Sequence, residues 1–257
     1  MRVVSLVPSL TETVVALGGA GLLVGRTSFC PPVRGREGTI PAVGGTKTPD
    51  IDRVLALAPD LALLDRDENR REDAAALREA GVELLVVDVA GPADVPALLR
   101  ELGERLGLPR GEEEATRLEE ALASLSPPPA SPRRVLVPAW RDPWVLVARD
   151  TYAGSLLGLL GLAVVPAGLP RYPRLSLPEV AALRPALVLL PDEPYRFTLD
   201  AAMPLVDAIA PVRGAPPRLV PVDGRDLFWY GVRTRGSLAR LARELRGGTA
   251  DSPPPTR

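Results

Sequence analysis

The chain of 257 residues exceeds what one simple domain needs, so one large α/β unit or two lobes of ordinary size would fit. Its apolar fraction of 46% and charged fraction of 25% are globular averages, and no apolar run is long enough to cross a membrane. With 31 Lys and Arg against 32 Asp and Glu there is no basic surplus, which removes nucleic acid and anionic lipid from the expected partners.

The amino terminus, Met1-Arg2-Val3-Val4-Ser5-Leu6-Val7-Pro8, has one basic residue, an apolar stretch ended by Pro8, and no small-residue cleavage site. It reads as a first strand. With this start the expected compartment is the cytoplasm; an upstream start carrying a leader would make the chain periplasmic or membrane-anchored. Ser9-Leu10-Thr11-Glu12 has the spacing of a capping box opening a helix over residues 10–17, which stops at Gly18-Gly19.

The next signal is a repeat. Val54-Leu55-Ala56-Leu57-Ala58-Pro59-Asp60-Leu61-Ala62-Leu63-Leu64 returns 126 positions later as Val180-Ala181-Ala182-Leu183-Arg184-Pro185-Ala186-Leu187-Val188-Leu189-Leu190. Each copy reads as a short amphipathic helix, a Pro-marked turn and a buried strand, the pattern that builds parallel sheets. Asp50 is the expected N-cap of the first helix, and Ser176-Leu177-Pro178-Glu179 a capping box for the second. Further strands are predicted over residues 83–87 and 218–222, and residues 135–137 before Pro138 echo the opening strand. Helices are predicted over residues 92–106, 111–125 and 151–160. The second of these carries Ala115, Leu118, Ala121, Leu122 and Leu125 at helical spacing and is a candidate strut. Ser126-Pro127-Pro128-Pro129-Ala130-Ser131-Pro132 then acts as a semi-rigid spacer.

The expected fold class is therefore α/β: two Rossmann-like lobes with parallel sheets, joined by a long connecting helix. The boundaries are 1–108 for the N-terminal lobe, 109–132 for helix and spacer, 133–246 for the C-terminal lobe, and 247–257 for a disordered tail.

Ligands of open parallel sheets sit beyond the carboxyl ends of the strands. The segments there are Pro8-Ser9, Asp65-Arg66-Asp67-Glu68-Asn69, Trp140-Arg141-Asp142-Pro143-Trp144, Asp192-Glu193-Pro194-Tyr195-Arg196-Phe197 and Asp223-Gly224-Arg225-Asp226-Leu227-Phe228-Trp229-Tyr230. All three tryptophans fall within them, where exposure of large rings points to a ligand; Trp140 and Trp144 would alternatively plug the seam between helices and sheet. Rings beside Arg and carboxylates suit a large, flat, partly apolar ligand, with Glu68, Trp140, Tyr195 and Trp229 as candidates. The absence of histidine and the single Cys30 leave no protein-built zinc or facial-triad site and no Ser-His or Cys-His couple, so no catalytic or metal residues are assigned and any metal arrives chelated. Gly18-Gly19-Ala20-Gly21 follows a helix instead of a strand, so it is not a dinucleotide loop, and Val43-Gly44-Gly45-Thr46-Lys47-Thr48-Pro49 lacks the ending of a phosphate loop.

The opening strand through Glu12, the segment Val43 to Pro49, the turn Leu57-Ala58-Pro59-Asp60-Leu61 and Tyr172-Pro173 ahead of Ser176 resemble class III substrate-binding proteins of ABC importers. That family, the helical-backbone metal receptors, includes vitamin B12 and iron-siderophore receptors. The resemblance implies a monomer that binds a cobalamin-like or metal-chelate ligand noncovalently in a cleft between the lobes, with no built-in cofactor and no catalysis. It also implies docking onto a permease through one acid on each lobe, here Asp52 and Glu179. The residues matching those that flank a corrin are Phe29, Trp140, Trp229 and Arg233. Asp67 to Glu72, Glu193-Pro194-Tyr195 and Phe228-Trp229-Tyr230-Gly231 are similar to a branch that often lacks export signals, which leaves a cytosolic chelate carrier or sensor as the alternative and an enzyme on the same architecture as a third reading.

Overall fold

The structure, a computed structural model, describes residues 1–35 and 38–246; the expected tail over 247–257 lies outside the described residues. The chain forms two compact units. The first comprises Met1–Ala123 with Trp229–Arg233, and the second Ser124–Phe228 with, among the described residues, 234–246.

In chain order the first unit contains β1 (Val3–Ser5), α1 (Pro8–Ala16), β2 (Leu23–Arg26), β3 (Arg34–Gly35), β4 (Gly38–Thr39), α2 (Ile51–Ala56), β5 (Leu61–Asp65), α3 (Arg71–Glu79), β6 (Glu83–Val87), α4 (Val95–Leu106) and α5 (Arg110–Ala123). The second contains β7 (Arg133–Leu136), β8 (Pro138–Trp140), β9 (Trp144–Leu146), α6 (Tyr152–Leu159), β10 (Leu162–Val164), β11 (Arg174–Leu175), α7 (Leu177–Ala182), β12 (Leu187–Pro191), α8 (Leu199–Arg213), β13 (Arg218–Val222), α9 (Gly224–Phe228) and α10 (Thr234–Arg246).

Each unit is built on a four-stranded parallel sheet, ordered β2-β1-β5-β6 in the first and β10-β7-β12-β13 in the second. The strand order reverses beside β1 and beside β7, and such switch points open a crevice beyond the strand ends. The sequence repeat is realised element for element. Helices α2 and α7, strands β5 and β12, and even the left-handed residues Ala58 (φ 45) and Arg184 (φ 46) recur at the same offset. β5 and β12 are buried along their whole length, as expected of strands covered by helices on both faces. Val4, Leu6, Ala62 and Leu64 fill the first core; Leu136, Leu146, Val188 and Leu190 fill the second.

Asp50 caps α2 by accepting from Arg53 N at 3.0 Å, and the Ser176 and Glu179 pair forms the expected capping box on α7. Ser9 does not cap α1. The helix starts at Pro8, whose fixed φ suits the first turn, so the N-cap is Val7 and Ser9 lies inside the helix. The Val7 carbonyl accepts from Thr11 N at 3.0 Å and from the Thr11 hydroxyl at 3.1 Å, while Glu12 turns to another partner described below. The helix expected over 92–106 opens as a short 3-10 turn, Pro92–Asp94, before α4.

α4 and α5 pack closely because two glycines meet at the contact. A Cβ on Gly111 would sit 2.5 Å from the Leu99 carbonyl oxygen and 2.7 Å from Gly103 Cα. Arg100 on α4 bridges Glu112 and Glu119 on α5 outside this contact. Gly111→Ala is expected to destabilise the protein by about 1–3 kcal/mol, the usual cost of overpacking, read as a lowered urea midpoint. An unchanged midpoint would mean that the two helices separate freely.

Candidate functional site

At the carboxyl end of β5 the chain buries a carboxylate. Asp65 Oδ1 accepts from Asp67 N at 2.7 Å and Glu68 N at 2.9 Å, and Oδ2 accepts from the Tyr230 phenol at 2.8 Å. Burial pushes the Asp65 carboxyl above the ordinary carboxylate range, and the hydrogen bonds from Glu68, Tyr230 and Asp67 oppose that push. Burial and the facing Asp65 charge likewise hold the Tyr230 phenol well above its usual value, so it stays a donor. Asn69 closes the same turn. Its Oδ1 accepts from Asp65 N at 2.8 Å, and its Nδ2 donates to Leu6 O at 3.1 Å and Thr46 O at 3.0 Å, which ties the ends of β1 and β5 to the loop before α2.

Tyr230 belongs to a short segment, Trp229–Arg233, with two further anchors in the first unit, at Arg233 and Gly231. Arg233 makes a two-pronged bond to Glu12, 2.9 Å from Nε and 2.6 Å from Nη2. Gly231 (φ 99) presses so tightly on Thr13 that a Cβ would lie 2.0 Å from its hydroxyl. The Thr13 hydroxyl itself donates to Ser9 O at 2.8 Å. The Arg233 guanidinium stands over the Trp229 ring at 5.7 Å.

On the edge of the same sheet, Phe29 crowns the turn after β2, 68% exposed, with its ring edge lying where a Gly45 side chain would be. Arg26, buried at the end of β2, holds that turn through Nη1, which donates to the carbonyls of Thr27 and Cys30 at 2.9 Å each. The Cys30 thiol is buried against the Thr11 and Thr27 hydroxyls.

In the second unit, the hairpin of β8 and β9 continues from the carboxyl end of β7. Trp140 ends β8 and is 46% exposed, and Tyr195 meets it edge-to-face at 5.5 Å. Tyr195 in turn packs on Phe197 at 4.7 Å, and Phe197 stacks on Trp144 at 6.1 Å. Asp192 Oδ1 accepts from Gly224 N at 2.8 Å and fixes the segment after β12 to α9.

The structure thus brings Trp140 and Tyr195 together in the second unit, and Glu68, Trp229 and Arg233 lie around the Asp65 and Tyr230 centre of the first. Phe29 stands apart on the sheet edge. The expectation of three exposed tryptophans is corrected: Trp144 and Trp229 are buried, Trp144 because it is a wall of the second core and Trp229 because Arg233 covers it. Arg233 is held in an ion pair with Glu12. Asp52 and Glu179 are both exposed in the first turns of α2 and α7, and Glu179 accepts from the Ser176 hydroxyl at 2.6 Å and from Ser176 N at 2.7 Å, which hold its carboxyl below the ordinary range. Sequence reasoning missed Asp65, Asn69 and Tyr230 as a unit. The one available signal was a carboxylate ending an otherwise apolar strand.

Over residues 3–192 the sequence matches the family model described as periplasmic binding protein. The chain belongs to that family. A vitamin B12-binding protein of Pectobacterium carotovorum subsp. carotovorum (strain PC1) is 24% identical over 204 residues, 76% of this chain and 73% of that protein. The apo form of the periplasmic heme-binding protein RhuT from Roseiflexus sp. RS-1 superposes with a TM-score of 0.76 at 26% identity, covering 96% of this chain and 98% of that one. The periplasmic vitamin B12-binding protein BtuF of Vibrio cholerae shares the fold, with a TM-score of 0.75 at 19% identity over 95% of this chain and 96% of that one. Family and neighbours are named as binding proteins. Among the described residues no helix is long and apolar enough to cross a membrane.

The raised Asp65 pKa has a signed consequence. The folded state holds the Asp65 proton more tightly than the unfolded chain, so the group contributes stability below its ordinary pKa and loses it as pH rises through the raised value. Asp65→Asn cannot titrate. Its stability relative to the parent is expected to improve steadily from pH 4 towards neutrality in urea titrations; a difference that stays flat with pH would refute the assignment.

Proposed function

We propose that this chain is the substrate-binding component of an ABC importer for a flat metal-chelating macrocycle of the heme or cobalamin class, held by noncovalent contacts without turnover. The observation that carries this reading is the exposed Trp140, backed by a continuous stack of Tyr195, Phe197 and Trp144 at the carboxyl end of the second sheet. A large ring left open to water on a rigid backing is what a flat apolar ligand face requires. The names of the relatives, one binding vitamin B12 and another heme, support the same ligand class.

In this reading Trp140 and Tyr195 supply the ring contacts in the second unit, and Phe29, Glu68, Trp229 and Arg233 supply the contacts in the first. Asp52 and Glu179 are the permease-facing acids, each exposed at the start of a repeated helix. The metal enters as part of the cargo, since the chain has no histidine and its one cysteine is buried. The protein works as a monomer outside the cytoplasmic membrane, in keeping with the periplasmic description of its family.

Absorbance titration with heme, cobalamin and cobinamide tests this. Saturable one-to-one binding of at least one of them at micromolar concentration is expected, weakened about tenfold or more by Trp140→Ala, the usual loss when a central aromatic anchor is removed. Absence of binding by all three would sink the reading.

A further inference from the structure

Arg141 is the residue after Trp140, in the turn between β8 and β9. Its guanidinium lies over the Trp144 ring at 5.9 Å, which fixes its plane. None of its five N–H donors has a protein hydrogen-bond partner among the described residues, and Nε is closed off from solvent as well. Among the arginines near the strand ends, Arg233 is committed to Glu12, Arg66 to Asp88 and Arg225 to Asp223, and Arg26 donates through Nη1 to two backbone carbonyls. The one acid near Arg141 is its neighbour Asp142, whose Oδ2 is 3.5 Å from Nε, beyond a good hydrogen bond. That carboxylate is 84% exposed and so held mainly by water.

Arg141, held on the buried Trp144 and next in sequence to the exposed Trp140, is placed to pair with that indole in recognition. The ring accepts a flat apolar face, and the planar fork accepts a carboxylate in two-pronged fashion at the rim of that face. We propose that Arg141 is the specificity residue that reads a carboxylate carried on the edge of the ligand, replacing the loose contact to Asp142. This rests on the ligand class proposed above and narrows it: the preferred ligand is a planar macrocycle bearing peripheral carboxylates, as porphyrins do, instead of one whose rim is amidated, as in corrins. The side chain is 33% exposed and only its Nε is closed off, so the two Nη groups are the donors open to an arriving carboxylate.

The test compares heme with its dimethyl ester, which keeps the ring and the metal but blocks both carboxylates. The parent protein is expected to bind heme at least about tenfold more tightly than the ester, as for loss of one charge-assisted contact. Arg141→Gln should lower heme affinity to that of the ester and leave ester binding in place, and Arg141→Lys should keep part of the preference. Because the readout is the ratio of two ligands on one protein, a variant with weakened folding still reports. Equal losses of heme and ester in Arg141→Gln would reduce Arg141 to packing on Trp144 and overturn the proposal, as would a parent protein indifferent to esterification. Binding of cobinamide without heme would overturn it and leave the proposed function standing; binding of none would remove both.

Discussion

The buried Asp65 carboxylate is the group around which the first unit is arranged. A carboxylate taken out of water must be given donors or be neutralised, and at the end of a strand few backbone donors remain. The chain meets that demand in two ways. It folds the next residues back so that the amides of Asp67 and Glu68 point at Oδ1, and it brings in the phenol of Tyr230 from 165 positions later. Once Tyr230 is committed, its neighbours have little freedom. Gly231 must lie flat on Thr13, where no side chain fits, and Arg233 must find Glu12. The exposed acids and rings of this face are set by a turn whose geometry was fixed to satisfy one charge.

The two units share a plan and differ in decoration. Parallel strands need crossovers, so every loop that leaves the carboxyl end of a sheet is available for function while the opposite end only reverses the chain. In the first unit those loops hold a carboxylate network closed by a phenol. In the second they hold four aromatic rings in sequence from Trp140 to Trp144, with the guanidinium of Arg141 at the margin. One end is polar and ordered by hydrogen bonds, the other apolar and ordered by packing. Rings with a guanidinium at their margin, as in the second unit, suit a ligand with a flat face and a polar rim better than a small polar solute, which would need donors without rings.

Much of this plan was legible in the sequence because its signals are local. The repeat, the Asp50 cap, the Ser176 and Glu179 box and the strands over 83–87 and 218–222 depend on residues within a few positions of one another. The structure places them where the pattern put them. Ser9 and Glu12 show how a correct local motif fails: the spacing fits a capping box, but Pro8 starts the helix two residues early and Arg233 claims Glu12 from 221 positions away. Helix α8 was hidden for another reason, since Pro204 and Pro211 interrupt its pattern and yet are accommodated within it. The burial of Trp229 and the pairing of Asp65 with Tyr230 had no local trace at all. Both are consequences of tertiary folding that bring distant residues to one strand end.

In the proposed function, the state of Trp140 before any ligand arrives decides how much of its contact energy reaches the complex. An exposed indole on a mobile loop would lose rotamer freedom on binding, and that loss would offset part of the gain. Here the ring is already braced on its edge by Tyr195, which is braced by Phe197, which is stacked on the buried Trp144. The ordering cost was therefore met during folding of the second core, by side chains that would be buried there in any case. What remains for the ligand is to displace water from one face of a fixed ring, which is the favourable part of the exchange. In the proposed function the chain, which has no imidazole to offer a metal, relies on such preorganisation, and the aromatic stack under Trp140 supplies it.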